Sequence, residues 1–165
     1  MYDKDTFDRI TEILQDEKRS LEQLAAFEEY RLRLLEESNW PKLEAIEAEI
    51  CTVMDQVYAL EKERLFAGSR MLHTNNPDTL SALIAVVQPE DRESLVQLRN
   101  DMTAVIQRLQ FLKSVSEAIM RDKKALADMA LAAAKGESGQ GEYTEDGTMR
   151  EVNTGTASIL FSRKI

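Results

Sequence analysis

Apolar residues recur at alternating spacings of three and four along most of the chain. This is the period of a helix that packs along its length on other helices. The longest series follows Pro89, whose acidic successors favour a helix start, and Lys135-Gly136 favours its end. Its members are Leu95, Leu98, Met102, Val105, Leu109, Leu112, Ile119, Leu126 and Ala130, with Ser116 and Lys123 as polar breaks. The pattern predicts one long helix over about 90–135.

Two further series of the same period come earlier in the chain. The first predicts a helix over about 4–37, although Glu28 and Arg31 occupy positions late in the series where apolar residues are expected. The second predicts a helix over about 41–72 and is the most regular of the three. Because a tight corner joins two helices of similar length, the pair is expected to form an antiparallel hairpin.

The remaining stretches complete the predicted fold. A short apolar stretch over about 78–87 predicts a helix that covers an end of the bundle, and Trp40 is expected to seal the bundle at the corner. Glycines become frequent from Gly136 onward, so residues 136–165 are expected to form a flexible or loosely docked C-terminal tail. The sequence thus predicts an all-α fold, an elongated antiparallel three-helix bundle or coiled coil over residues 1–135 followed by this tail.

The last long helix is predicted to outrun the other two. It has about 45 residues against about 32–34, so roughly ten residues extend past the bundle if all three start level. This end carries an apolar face whose candidate site residues are Leu126, Met129, Ala130 and Ala133. An apolar helix face without cover is a partner site or an association surface. The residues alone leave three possibilities for what covers this face: a bound partner, the tail folded back, or a second copy of the chain.

Composition narrows the classes of function. The net charge is −9, and the excess of acids is concentrated in the first two predicted helices. Nucleic acid and anionic membranes are therefore poor partners, although such acids are also typical of the solvated faces of long helices. No apolar run approaches the ~20 residues of a membrane span, and the polar N-terminal sequence has no signal-peptide core. One cysteine excludes an intrachain disulfide, and a cytoplasmic protein is expected.

The titratable residues do not form a catalytic set. His73 is the only histidine, so neither a His/Cys zinc site nor a di-metal helical bundle can be assembled. Cys51 is expected to be a small, partly buried residue, and roughly 33 Å of helix separates it from His73, which excludes a Cys–His nucleophile. The late glycines follow a helix and do not form a phosphate loop. The sequence predicts no catalytic, metal-binding or cofactor-binding residue and no enzyme.

Short motifs along the chain resemble those of a known family. Leu43-Glu-Ala-Ile-Glu-Ala-Glu follows the corner, and Leu60-Glu-Lys-Glu-Arg64 comes late in the second helix. The tail adds Gly141-Glu-Tyr-Thr-Glu-Asp-Gly147 and a closing Phe161-Ser-Arg-Lys-Ile165. With the order of helices, these motifs resemble the FlgN-type flagellar export chaperones. The segment 109–116 departs from the asparagine and leucine that such proteins often carry in the last helix.

The resemblance implies a function and a site. Such a protein binds unassembled flagellar hook-associated, or filament-junction, proteins in the cytosol and delivers them to the flagellar type III export apparatus. The family assigns cargo recognition to the C-terminal part of the chaperone. On this chain, that part contains Leu126, Met129, Ala130, Tyr143, Ile159, Leu160 and Phe161. The competing class is a structural coiled-coil adaptor or a homodimer without an export role.

Overall fold

The computed structural model describes residues 4–72 and 80–137. Within them the chain forms four helices: α1 (Lys4–Glu36), α2 (Trp40–Leu72), α3 (Leu80–Val86) and α4 (Pro89–Glu137). The described residues contain no strand. The all-α helical bundle predicted from the sequence is confirmed. With 49 residues, α4 is about 73 Å long, against about 50 Å for each of α1 and α2.

Ion pairs and hydrogen bonds between helices fix their directions. Helix α2 runs antiparallel to α1, because Arg64 near its end binds Glu17, whereas Glu47 near its start binds Arg31. Helix α4 runs parallel to α1. Its Asp101 accepts a hydrogen bond from Lys18 at 2.7 Å, and farther along, Lys123 donates one to Ser38 at 2.7 Å, just past the end of α1.

Helix α1 is the shared support of the bundle. It packs against both α2 and α4, whereas α2 and α4 scarcely touch each other. Its buried face includes the first apolar series and, after the break at Glu28 and Arg31, Leu34 and Leu35. The core it anchors includes Phe7, Ile10, Leu14, Leu21, Leu24, Ile50, Val53, Val57, Leu95, Met102 and Leu109. The bundle therefore has one position, opposite α1 and between α2 and α4, that no described helix fills.

The two ends of the bundle differ. Helix α3 closes the end where α2 finishes and α4 begins, and Leu80, Leu83 and Val87 are buried there. At the other end, the chain turns sharply through Ser38, whose φ of 56° is left-handed, and the Asn39 side chain accepts a hydrogen bond from the Lys42 amide.

Trp40 does not seal this second end, and that prediction is wrong. It is the first residue of α2, and half of its surface (51%) stays exposed. Helix α4 passes the corner against Ser38 and leaves the tryptophan uncovered. A tryptophan at a corner is packed only where another element crosses it, and the order of residues could not show which side α4 would take.

Candidate partner-binding surfaces

Burial along α4 decreases toward the corner, and its last buried residue is Ser116. Leu95, Met102, Leu109 and Leu112 are buried against the bundle. From Lys124 to Lys135 every residue is exposed, because α1 ends and α2 begins at the corner, so neither helix extends alongside this part of α4. We call residues 124–135 the overhang. From Lys123, which touches the corner, to the end of α4 at Glu137 is 14 residues, or about 21 Å of helix.

The overhang exposes large apolar side chains. Leu126 is 65% exposed and Met129 is 69% exposed, and Leu131 adds a third large apolar group. Ala130 and Ala133, the small residues among the predicted site residues, are also exposed. The other four predicted site residues, Tyr143, Ile159, Leu160 and Phe161, lie outside the described residues. The assignment of all eight to cargo binding stays a prediction.

A groove of about 950 Å³ occupies the unfilled position between α2 and α4. Its floor is α1, represented by Leu24, and apolar residues such as Ile50 and Met54 on α2 and Met120 on α4 line its walls. The groove is open to solvent along its length because α2 and α4 do not close over α1. It was not predicted from the sequence, since the apolar stripes do not show which pairs of helices leave a gap.

A charged cluster lies on the groove floor. Arg31 of α1 donates to Glu47 of α2 at 2.5 Å and to Glu28 on its own helix at 3.2 Å. Burial lowers the pKa of Arg31, but the two carboxylates raise it by more, so the guanidinium is held in its charged form. Glu28 and Arg31 are the break in the first apolar series, and in the fold this break places charged side chains beside the groove.

Ser116 is the first of the two polar breaks in the α4 series. It is 1% exposed, and its hydroxyl has no hydrogen-bond partner within the described part of the chain. The residue lines the groove at the point where α4 leaves the core. An unpaired buried hydroxyl costs free energy comparable to a lost hydrogen bond, so Ser116 lowers the stability of the folded chain.

Cys51 lies in the groove wall and is exposed. The prediction of partial burial is therefore wrong. The position beside the Ile50 stripe would be covered if α2 and α4 were in contact, but α2 faces solvent there instead. Because the sequence contains one cysteine, a thiol reagent that modifies this chain reacts in the groove.

Away from the groove, an ion pair with a buried carboxylate joins α1 and α2. Glu17 of α1 is buried and binds Arg64 of α2 at 2.8 Å. Burial raises the pKa of Glu17 above its ordinary value, and Arg64 opposes that rise without cancelling it.

In residues 4–72 and 80–137, no group of three or more histidine, cysteine or acidic residues could hold a metal ion. His73 lies outside those ranges.

A family model described as FlgN protein matches residues 1–151. The chain belongs to the FlgN family. The match spans all four helices, so both the groove and the overhang are part of the family's region, and it includes Tyr143 but not residues 159–161. No curated protein and no solved structure matches the chain.

Membership in the FlgN family decides the class of function. FlgN proteins are flagellar export chaperones that take part in flagellum biogenesis and bind flagellar hook-associated proteins; they are not enzymes. The apolar overhang and the open groove are surfaces suited to a protein partner. Among the helices that the structure describes, none has both the length and the apolar character to span a membrane.

Proposed function

We propose that this FlgN protein holds an unassembled hook-associated, filament-junction protein in the cytoplasm and delivers it to the flagellar type III export apparatus. The observation that carries the proposal is the overhang: about three turns of α4 present Leu126 and Met129 to solvent on a chain of a chaperone family. A soluble monomer rarely leaves such an apolar helix face unused.

The mode of binding we assign is helix against helix. A partner helix lays its apolar face on the overhang, as amphipathic helices do in other helix-in-groove complexes. Burying a leucine or methionine side chain contributes about 1.5–3 kcal/mol, part of which offsets the cost of association. Ala130 and Ala133 let the two backbones come close, and methionine adapts to different partner surfaces.

The tail is assigned to the same task. Tyr143 and residues Ile159, Leu160 and Phe161 would extend the apolar contact beyond the end of α4. The arrangement requires no catalytic group, metal or cofactor, since it only has to cover the partner's assembly surface until export. Nucleic acid and membrane insertion have no part in the proposed function.

A double substitution on the overhang tests the site. Leu126→Asp with Met129→Asp should leave helicity and melting temperature unchanged, because both side chains are exposed, and should weaken binding of a purified monomeric hook-associated protein at least about tenfold. Calorimetric titration and far-UV circular dichroism measure the two effects. Phe111→Asp is the matched control, since Phe111 is an equally exposed apolar residue of α4 that lies off the overhang.

Export is tested separately in cells. Secretion of the hook-associated protein into the medium should fall with the double variant and stay normal with the control. Full binding by the double variant would show that the overhang is not the cargo site. Normal binding with lost secretion would separate a delivery surface from the cargo surface.

The competing function is a coiled-coil homodimer that pairs through the same overhang. Sedimentation of the chain alone, over a range of concentrations, distinguishes the two. A chaperone with a free overhang stays monomeric at micromolar concentration, whereas a dimer dissociates when Leu126 and Met129 are replaced by aspartate.

A further inference from the structure

The groove occupies the place of a fourth helix in a bundle that has three long ones. Helix α1 forms the floor, and α2 and α4 stand on either side without meeting. We propose that this groove receives an amphipathic helix of the same unassembled partner, so that the partner is held by the groove as well as by the overhang. The inference rests on the proposed function, which supplies the partner, and adds a second surface to it.

The length of the groove sets the size of the helix. Along α4 it extends from Leu109 to Lys124, about 22 Å, and along α2 from Glu47 to Tyr58, about 16 Å. A helix of about 11–15 residues, three to four turns, spans these distances. That is the size at which an isolated helix is only marginally stable, so it gains order by packing into the groove.

The two walls carry opposite charge. Helix α2 contributes Glu47 and Asp55, whereas α4 contributes Lys113, Arg121 and Lys124 against the single acid Glu117. Asp55, Arg121 and Lys124 form no ion pair within residues 4–72 and 80–137. The complementary helix has basic residues along the edge that faces α2 and acidic residues along the edge that faces α4. This pattern sets its rotation and register in the groove.

The groove and the overhang form one continuous track on α4. Met120 and Lys124 line the groove, and the same helix face continues by steps of three and four to Ala127 and Leu131 on the overhang. Leu131 is one of the large exposed apolar residues. A partner helix that lies in the groove can therefore continue onto the Leu131 side of the overhang, whereas Leu126 and Met129 lie on another face of α4 and need a separate segment of the partner.

The chain's own tail is a poorer occupant. Residues 138–165 contain Gly139, Gly141, Gly147 and Gly155. These glycines interrupt the segment at intervals shorter than the helix that the groove accommodates, and glycine in a helix interior is unfavourable. A helix from another protein fits the available length without this cost.

Cys51 reports occupancy of the groove directly. As the one cysteine of the chain and an exposed residue of the groove wall, it reacts with a thiol reagent at a rate that depends on access. Adding a purified monomeric hook-associated protein at ten times its dissociation constant should slow modification about tenfold. The mass of the full-length FlgN chain, followed over time, measures the rate without interference from the partner's own cysteines.

Substitutions in the groove supply the second measurement. Met54→Glu and Met120→Glu should each weaken binding roughly tenfold, because each puts a carboxylate against the apolar face of the incoming helix. Phe66→Glu on α2 and Phe111→Glu on α4 are the matched controls, since both are exposed and neither lines the groove. They should leave affinity and Cys51 protection unchanged.

The outcomes separate the two proposals. Protection of Cys51 with weakened binding in the groove variants supports the groove site. Binding that depends on Leu126 and Met129 while Cys51 stays fully reactive overturns the groove site and leaves the proposed function standing. Binding that depends on neither surface overturns both. Protection in the free chain also overturns the inference: if it grows with concentration, a second copy is the occupant, and if it disappears on deletion of 138–165, the tail is.

Discussion

The two ends of α4 have the same apolar spacing, but their apolar residues differ in burial. In the closed end, from Pro89 to Leu112, the stripe packs on α1, and Leu95, Met102, Leu109 and Leu112 are buried. In the open end, from Lys113 to Lys135, the stripe continues at the same spacing, but Leu126 on the stripe and Met129 beside it are exposed. Periodicity thus determines which face of a helix is apolar, and the lengths of the other helices determine whether that face is covered.

This difference in burial separates residues that contribute to stability from residues that are available for binding. Side chains of the closed end contribute to stability because folding removes them from water. Side chains of the open end stay in water after folding, so their apolar surface is still available to a partner. Substitutions of one residue type at the two ends should therefore separate stability from binding.

Methionine provides the largest contrast. Met102→Ala should lower the free energy of unfolding by about 2–5 kcal/mol, because the side chain is 1% exposed and leaves a cavity. Met129→Ala on the same helix should change it by no more than about 0.5 kcal/mol. Urea denaturation followed by circular dichroism measures both. Equal losses would mean that the overhang packs against something in the free chain.

Two arginines that bridge α1 and α2 provide the next contrast. Arg64→Met in the closed end should cost about 2–3 kcal/mol at pH 7, slightly below the range for fully buried pairs, because it leaves Glu17 charged and buried. Arg31→Met beside the groove should cost less than about 1 kcal/mol, since solvent reaches Glu47. The same denaturation curves compare them, and a larger loss at Arg31 would contradict the open groove.

The Arg64 effect should depend on pH with a definite sign. The folded-state pKa of Glu17 lies above the ordinary value of 4.5, so above that value the folded chain binds more protons than the unfolded one. Its contribution to stability is therefore lost as pH rises from 4.5 through the raised pKa. Removing Arg64 raises that pKa further, and the deficit of Arg64→Met should shrink as the pH is lowered toward 4.5. A deficit independent of pH would place its origin in packing alone.

The smallest difference between paired variants is expected where the two ends meet. Ser116→Ala should raise the free energy of unfolding by about 1 kcal/mol, because it removes a buried hydroxyl without a partner. Ser114→Ala is the control for the gain in helix propensity, since Ser114 is exposed two residues earlier. The difference between the two changes in unfolding free energy gives the contribution of the unpaired hydroxyl. A loss at Ser116 would show that the groove already supplies its hydrogen bond.

The sequence supplied the helices and the class of protein. The apolar spacing predicted an all-α bundle, and the motifs that resemble FlgN proteins agree with the family match. It also placed Leu126 and Met129 on the last helix beyond the reach of the shorter ones. Two single-residue predictions failed, those for Trp40 and Cys51, because the burial of a residue beside a stripe depends on where the neighbouring helix lies.

Local chemistry determines a helix, because apolar spacing, caps and breakers act over a few residues. From these the sequence determined the helical elements, their apolar faces and the excess length of α4. Only the tertiary structure decided that α4 packs on α1 instead of α2. Because of this packing, a groove stays open between α2 and α4, Cys51 is exposed, and the Ser116 hydroxyl has no hydrogen-bond partner in the described residues. The physical reason is that two apolar stripes can pair in several ways with similar burial, and the choice among them depends on contacts between residues far apart in the chain.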